Sequence, residues 1–382
     1  MKLPIDRFKE LRTPFYCYDL SLLRSTLQVI KDEIAGYPFV VHYALKANAN
    51  PVILNEIVKT DIGADLVSGN EIMTALEAGF SPIRMAYAGV GKTDWEIETG
   101  IDNDIYCFNV ESVPEIAVIN EIAARKGKIA GIAIRVNPDI DAHTHQYITT
   151  GTATDKFGID IHNLDDVVDM ARNLSNVHLR GLHFHIGSQI TSIEPFMLLC
   201  ERINEIVEHY EKMGVNFEMI DVGGGLGVDY KNPEENPIAP FHDFFNVFKQ
   251  RLKLRQGQTV HFELGRSIVA QCGVLISRVM FVKENSIKKF VILDAGMTDL
   301  IRPALYHAHH KIVNLTTKAK EIDTYDVVGP ICESSDVFSN DEKLPITRRG
   351  DIVAILTAGA YGESMASRYN MRDLPQSHFI KS

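Results

Sequence analysis

Eight short apolar runs recur between residues 39 and 263, and helix-patterned stretches separate them. The runs cover 39–45, 62–67, 83–88, 105–110, 129–136, 178–186, 217–222 and 259–263. They are near-continuously apolar rather than alternating, the pattern of strands covered on both faces. The intervening segments include "PVILNEIVKT", "GNEIMTALEAGF", "SVPEIAVINEIAARKG" and "NLDDVVDMARNL". In "IEPFMLLCERINEIVEHYEKMG" apolar residues return every three or four positions and a glycine follows the last turn, marking an amphipathic helix and its stop. Eight such repeats predict an α/β fold, a (β/α)8 barrel of the TIM type. A doubly wound sheet is the rival, but its glycine-rich first turn is missing after the first run.

After about residue 271 the rhythm changes. "VLISRVMFVKE", "KKFVILDAG", "KIVNLT", "IDTYDVVGPICES" and "GDIVAILTAGAYG" are β-rich, with turn residues between them. They predict a second, mostly antiparallel domain. The expected division is a barrel over 20–268 and a C-terminal β domain over 269–382, joined by residues 1–19.

The balance of charge narrows the partners. The 382 residues carry a formal net charge of −11, with 45% hydrophobic and 23% charged residues. No concentrated basic run is present, which disfavours nucleic acid and anionic membranes and leaves a small molecule or a protein. No run approaches the roughly 18 apolar residues of a membrane span. The start, "MKLPIDRFKELRTP", has charge and proline where a signal peptide needs an apolar core, so a cytoplasmic location is expected. Five scattered cysteines suit a reducing compartment and offer no zinc spacing, so no metal is expected.

In barrels the chemistry gathers where strands end, and the unusual residues fall there. Lys46 ends the first run, Asp65 lies in the second, Arg135 near the end of the fifth, and His183 and His185 alternate in the sixth. Gly223, Gly224 and Gly225 end the seventh; Glu263 and Arg266 end the eighth. Singly, each has an ordinary explanation: a solvated lysine, packed histidines, a tight turn, a structural ion pair. Jointly they offer an amine, a carboxylate, a flat ring and backbone N–H groups that approach an anion closely. An aldehyde cofactor with a phosphate, such as pyridoxal phosphate, requires that set.

The motifs "YALKANANP", "GADLVSGNE", "GVGKT", "FNVES", "RVNPDIDAHTHQYITTG", "GLHFHIGSQ", "DVGGGLG", "ELGRSIVA", "DAGMTDLIRPALYHAHH", "VVGPICESSD" and "GAYGESMASRYNMR" run almost the whole chain. Together they resemble the barrel-type (fold type III) pyridoxal-phosphate amino-acid decarboxylases, within them the diaminopimelate decarboxylase family. The resemblance implies an alanine-racemase-like pairing of barrel and β domain. It implies that Lys46 carries the cofactor, Asp65 contacts the lysine, His185 stacks on the ring and Glu263 faces the pyridine nitrogen. Ser188, Gly223, Gly224 and Gly225 would help hold the phosphate, with Arg135, Gly265, Arg266 and Tyr361 completing the cofactor set. Substrate recognition would fall on Arg266, Arg302, Tyr306, Glu333 and Tyr361, and Cys332 would handle the proton after carbon dioxide leaves. The implied substrate is meso-diaminopimelate and the product L-lysine, made by a homodimer whose sites share the "CES" segment. A decarboxylase of another diamino acid, or of a polyamine or siderophore intermediate, remains open. A catalytically dead, cofactor-binding regulatory relative should have lost Lys46 or Cys332, and both are present. Two departures stand out: Leu264 replaces the proline of the family's "EPGR", and Ser335 the glycine of "ESGD".

Overall fold

The computed structural model describes residues 3–138 and 156–381. The motif stretch "DAHTHQYITTG" lies outside the described residues. The chain forms two compact units, Leu27–Gly227 with Pro240–Gly265, and Met1–Thr26 with Val228–Ala239 and Arg266–Ser382. Residues 228–239 thus group with the second unit although barrel elements flank them in sequence.

The first unit is a closed parallel barrel. Its strands are β1 (Phe39–Ala44), β2 (Gly63–Leu66), β3 (Met85–Tyr87), β4 (Cys107–Val110), β5 (Ala130–Asn137), β6 (Val177–His183), β7 (Met219–Asp221) and β8 (Thr259–Leu264). Each pairs in parallel with the next, and β8 pairs with β1 to close the ring. Helices between them start and stop where local chemistry dictates. Ser68 and Ser112 cap Gly69–Ala78 and Val113–Lys126 at their N-termini, and left-handed Gly79 and Gly127 end them. Thr93 and Glu96 form a capping box on Asp94–Asp102.

Two expected strand limits move for physical reasons. Pro82 starts a 3-10 turn over Pro82–Arg84, so β3 begins at Met85 and Ile83 is exposed. β6 ends at His183, so His185 lies beyond the strand, in a chain that then bends through Gly187 (φ 144°) and Gln189 (φ 61°).

Side chains alternate across each strand. On β8, Phe262 points outward and packs edge-on against Phe244, Phe245 and Phe248 of the helix Phe241–Arg251. Burying a phenyl ring of this kind stabilises by about 1.5–3 kcal/mol. His261 and Glu263, on the opposite face of the strand, belong to the barrel interior. One interior tier holds Cys107, Ala133 and Met219, which pack together, and the His42–His261 pair, hydrogen-bonded at 2.8 Å. Two residues further along the strands lies a polar tier: Asp65, Asn109, Arg135, His183, Asp221 and Glu263, all buried.

The second unit is an eight-stranded, mostly antiparallel sheet. Gly273–Glu284 is its spine, pairing with Phe15–Asp19, Lys289–Leu293 and Ile352–Ile355. Phe15–Asp19 also pairs in parallel with Gln376–Ile380. Phe8, Phe15, Cys17, Val274, Ile276, Ile352 and Ala354 form its core.

Candidate active site

The polar tier is built by strand ends. Lys46 follows β1 in a 3-10 turn, Leu45–Ala47, rather than ending the strand itself. Its Nζ donates to Asp65 Oδ2 at 3.0 Å. Lys46 keeps a 39% exposed side chain, while Asp65 is fully buried. Burial, reinforced by the nearby Glu263 charge, pushes Asp65 up to about 7 despite the ammonium beside it. Asp65 Oδ1 has no hydrogen-bond partner among the described residues.

Glu263 is held at both carboxylate oxygens. Asn109 Nδ2 donates to its Oε1 at 2.8 Å, and His183 Nε2 lies 3.3 Å from Oε2. Burial opposes its ionisation, but His183 and Lys46 outweigh burial and hold it well below the usual carboxylate range. Asn109 is fixed in turn: the buried Lys92 ammonium donates to the carbonyls of Gly89 and Asn109 and to Glu115. That interaction gives the lysine of "GVGKT" a positioning task.

His185 is neutral, lowered to about 3 by burial and then by the Arg135 charge. Gly224 N–H donates to its Nδ1 at 3.2 Å. Arg135 donates to Glu111 Oε1 at 2.7 Å and lies 4.6 Å over the Phe157 ring. The glycine turn tolerates no side chain. A Cβ at Gly223 would meet Phe184 O at 2.3 Å, at Gly224 Glu263 O at 2.0 Å, and at Gly225 Gly187 O at 2.7 Å. Gly223 and Gly225 also have φ of 68° and 103°, in the left-handed region. Ser188 follows Gly187, the residue that Gly225 crowds. Gly265 directly follows β8. Leu264 completes β8 opposite Tyr43, so the missing proline leaves a regular strand end.

In the second unit, Arg266 and Arg302 converge on one hydroxyl. Their NH1 atoms donate to Tyr230 Oη at 2.8 and 2.9 Å. Burial would raise the Tyr230 phenol, but the two guanidinium charges outweigh it and lower the phenol below its usual value. Arg266 also lies 4.9 Å over the Tyr361 ring, and Arg302 donates to His310 Nε2 at 2.8 Å. Tyr306 ends the short helix that Arg302 begins. Cys332 and Glu333 are exposed: Asn370 accepts from the Cys332 backbone, and Glu333 accepts from Tyr369 Oη at 2.6 Å. Ser335 adopts no left-handed φ, so its segment has no need of glycine there.

Sequence reasoning left Asn109, Asp221, Tyr230 and His310 without roles. Asn109 and Asp221 sit inside the motifs "FNVES" and "DVGGGLG", each as the last residue but one of its apolar run, 105–110 and 217–222, a polar residue out of place there. Tyr230 follows the glycine turn closely in sequence, and only its two arginine partners reveal it.

Known proteins match this arrangement along the whole chain. Residues 20–270 match the family model of the pyridoxal-dependent decarboxylase, pyridoxal binding domain. A diaminopimelate decarboxylase of Bacteroides thetaiotaomicron is 54% identical over 98% of this chain and 97% of its own. That of Aquifex aeolicus is 42% identical over 94% of this chain and 84% of its own. The crystal structure of the Helicobacter pylori diaminopimelate decarboxylase complexed with L-lysine superposes with a TM-score of 0.93 at 40% identity, covering 99% of this chain and 94% of that one. With full-length identity at this level on a shared barrel, the chain belongs to the diaminopimelate decarboxylase family of pyridoxal-dependent decarboxylases.

Proposed function

We propose that the protein decarboxylates meso-2,6-diaminopimelate to L-lysine and carbon dioxide, the last step of lysine biosynthesis, with pyridoxal 5'-phosphate on Lys46. The observation that carries the reading is the Lys46–Asp65 pair at 3.0 Å, set in a buried tier with the ionised Glu263 on the adjoining strand. The residues fit the cofactor. A glycine turn that excludes every Cβ lets a phosphate approach its backbone closely, with Ser188 beside it; Gly223 and Gly224 N–H are held by Asp221 and His185. The unpartnered Asp65 Oδ1 awaits a polar group.

When bound, the cofactor supplies an aldehyde and an electron-accepting ring. The protein supplies the remainder. Asp65 Oδ2, poised near neutrality, takes the proton that Lys46 Nζ must shed to react. Glu263, held ionised, favours a protonated ring nitrogen. Neutral His185 presents an uncharged flat face, and Arg135 and Gly265 complete that environment. Arg266, Arg302, Tyr306 and Tyr361 take the distal carboxylate, which suits bidentate arginine geometry; Glu333 takes the distal ammonium. Cys332 Sγ returns the proton that replaces the lost carboxylate.

The active form we propose is a cytoplasmic homodimer in which the Cys332–Glu333 segment serves the partner's site. Support comes from the exposure of that segment together with exposed Tyr369, Met371 and Leu374, an apolar face suited to a second copy. Carbon dioxide release measured from meso-diaminopimelate against lysine, ornithine and arginine tests the reading. Only the first should turn over well, and Lys46→Ala should abolish turnover; full activity of that variant refutes the assignment.

A further inference from the structure

Asp221 ends β7 between the ends of β6 and β8, paired in register with His183 on one side and His261 on the other. One ligand-type atom each from His183, Asp221 and Glu263 lies within 4.8 Å of the others, and all three side chains are buried. Two carboxylates within 4.8 Å in a buried tier repel each other, and burial penalises each ion, so His183 and Lys46, which favour the Glu263 charge, leave Asp221 as the group to stay protonated. One proton must therefore sit between them. Hydrogen bonding decides which oxygen holds it. Both Glu263 oxygens already face donors, Asn109 Nδ2 and His183 Nε2. Asp221 has one donor, the Gly223 N–H at 2.8 Å on Oδ1. Its Oδ2 is buried without a partner so long as both carboxyls are drawn ionised.

We infer that Asp221 is a positioning residue held as the neutral acid of a one-proton carboxyl pair, its Oδ2–H donating to Glu263 while its Oδ1 anchors the glycine turn. A single carboxyl group then ties the glycine turn to Glu263. Burial and the Glu263 charge both push Asp221 well above the usual carboxylate range. The other titratable groups that act on or feel this pair are Lys46, Asp65, His183, His185, His42, His261, Tyr106 and Cys107. Given the cofactor reading proposed above, the pair has a consequence. It presents one negative charge to one protonated ring nitrogen, and the hydrogen bond from Asp221 lowers the basicity of Glu263 so that the proton stays on the ring.

The test begins with the protein free of cofactor. Unfolding releases the Asp221 proton, so wild type should release one proton more per chain than Asp221→Asn when both are unfolded in weak buffer at about pH 9 with an indicator dye. At that pH Asp65, at about 7, is already ionised and cancels in the comparison. Asparagine keeps the volume, the acceptor for Gly223 and a donor for Glu263, so the variant should fold. Should it not, infrared difference spectra of wild type at the same pH carry the decision: a protonated-carboxyl C=O band supports the pair, and its absence overturns it. Equal proton release likewise overturns it. Titration with pyridoxal phosphate supplies the second arm: Asp221→Asn should bind within about threefold of wild type, and Asp221→Leu, which loses both hydrogen bonds, at least tenfold more weakly. Equal affinity of the leucine variant overturns the positioning role. If the proton count holds while wild type takes up no pyridoxal phosphate, the carboxyl pair stands and the cofactor reading falls.

Discussion

Replacing Gly224 with alanine places a Cβ 2.0 Å from the backbone oxygen of Glu263. Non-bonded carbon–oxygen contacts stop near about 3 Å, so the two must part by roughly 1 Å in a closely packed interior. The residue that moves is the one whose carboxylate Asn109 and His183 hold, and whose N–H donates to Gly223 O at 2.9 Å. Unlike Gly223 and Gly225, Gly224 has no left-handed φ, so the substitution tests steric intrusion without backbone strain. Overpacking of this kind costs about 1–3 kcal/mol of stability, and a displacement of about 1 Å at a reacting centre costs roughly 100-fold in rate. Gly224→Ala should therefore lower kcat/KM for meso-diaminopimelate about 100-fold, weaken pyridoxal phosphate binding, and lower the melting temperature by several degrees. Gly91→Ala is the control: nothing lies within 4 Å of its Cβ and its φ is not left-handed, so all three readouts should stay at wild-type values. Wild-type cofactor affinity and kcat/KM in Gly224→Ala would refute the cradle argument.

Other outcomes follow from the buried titratable groups. His310 is lowered to about 3, by burial and then by Arg302, while an unfolded histidine binds a proton below about 6.5. The stability it contributes is present above that value and is lost as pH falls towards 3. By linkage the loss reaches roughly 2 kcal/mol at pH 5. His310→Gln, which retains an acceptor for Arg302, should shrink the stability difference between pH 7 and pH 5 by that amount in urea titrations. Tyr230 should ionise earlier than an ordinary phenol, so Tyr230→Phe should remove the earliest component of the tyrosinate absorbance titration; an unchanged curve would contradict the double arginine contact. Cys332 is exposed and the other four thiols are buried. Iodoacetamide should label Cys332 first in the native protein, and L-lysine should slow that labelling if the thiol serves the site.

Local pattern carried much of this protein. Apolar runs and capped helices placed all eight barrel strands within a few residues, because burial on both faces and glycine or serine at helix ends are read directly from composition and spacing. The glycine turn was legible for the same reason: only glycine fits where Gly223 to Gly225 approach other backbone. Lys46 and Glu263 were legible as polar residues out of place in apolar runs. Asp221 and Asn109 were less so, since one buried polar residue near a strand end looks ordinary. Tyr230 gave no signal, because its partners Arg266 and Arg302 are 36 and 72 residues away.

The sequence by itself determined which segments become strands, which residues face inward, and that an amine and a carboxylate stand at strand ends. Closure of the ring decided the rest. Only when β8 pairs with β1 do the inward residues of distant strands share one buried tier, and only there does low dielectric make their charges interact strongly. Whether Asp65 sits near neutrality, whether Glu263 is an ion and whether Asp221 keeps its proton are therefore properties of the closed barrel, since each depends on neighbours that sequence distance hides.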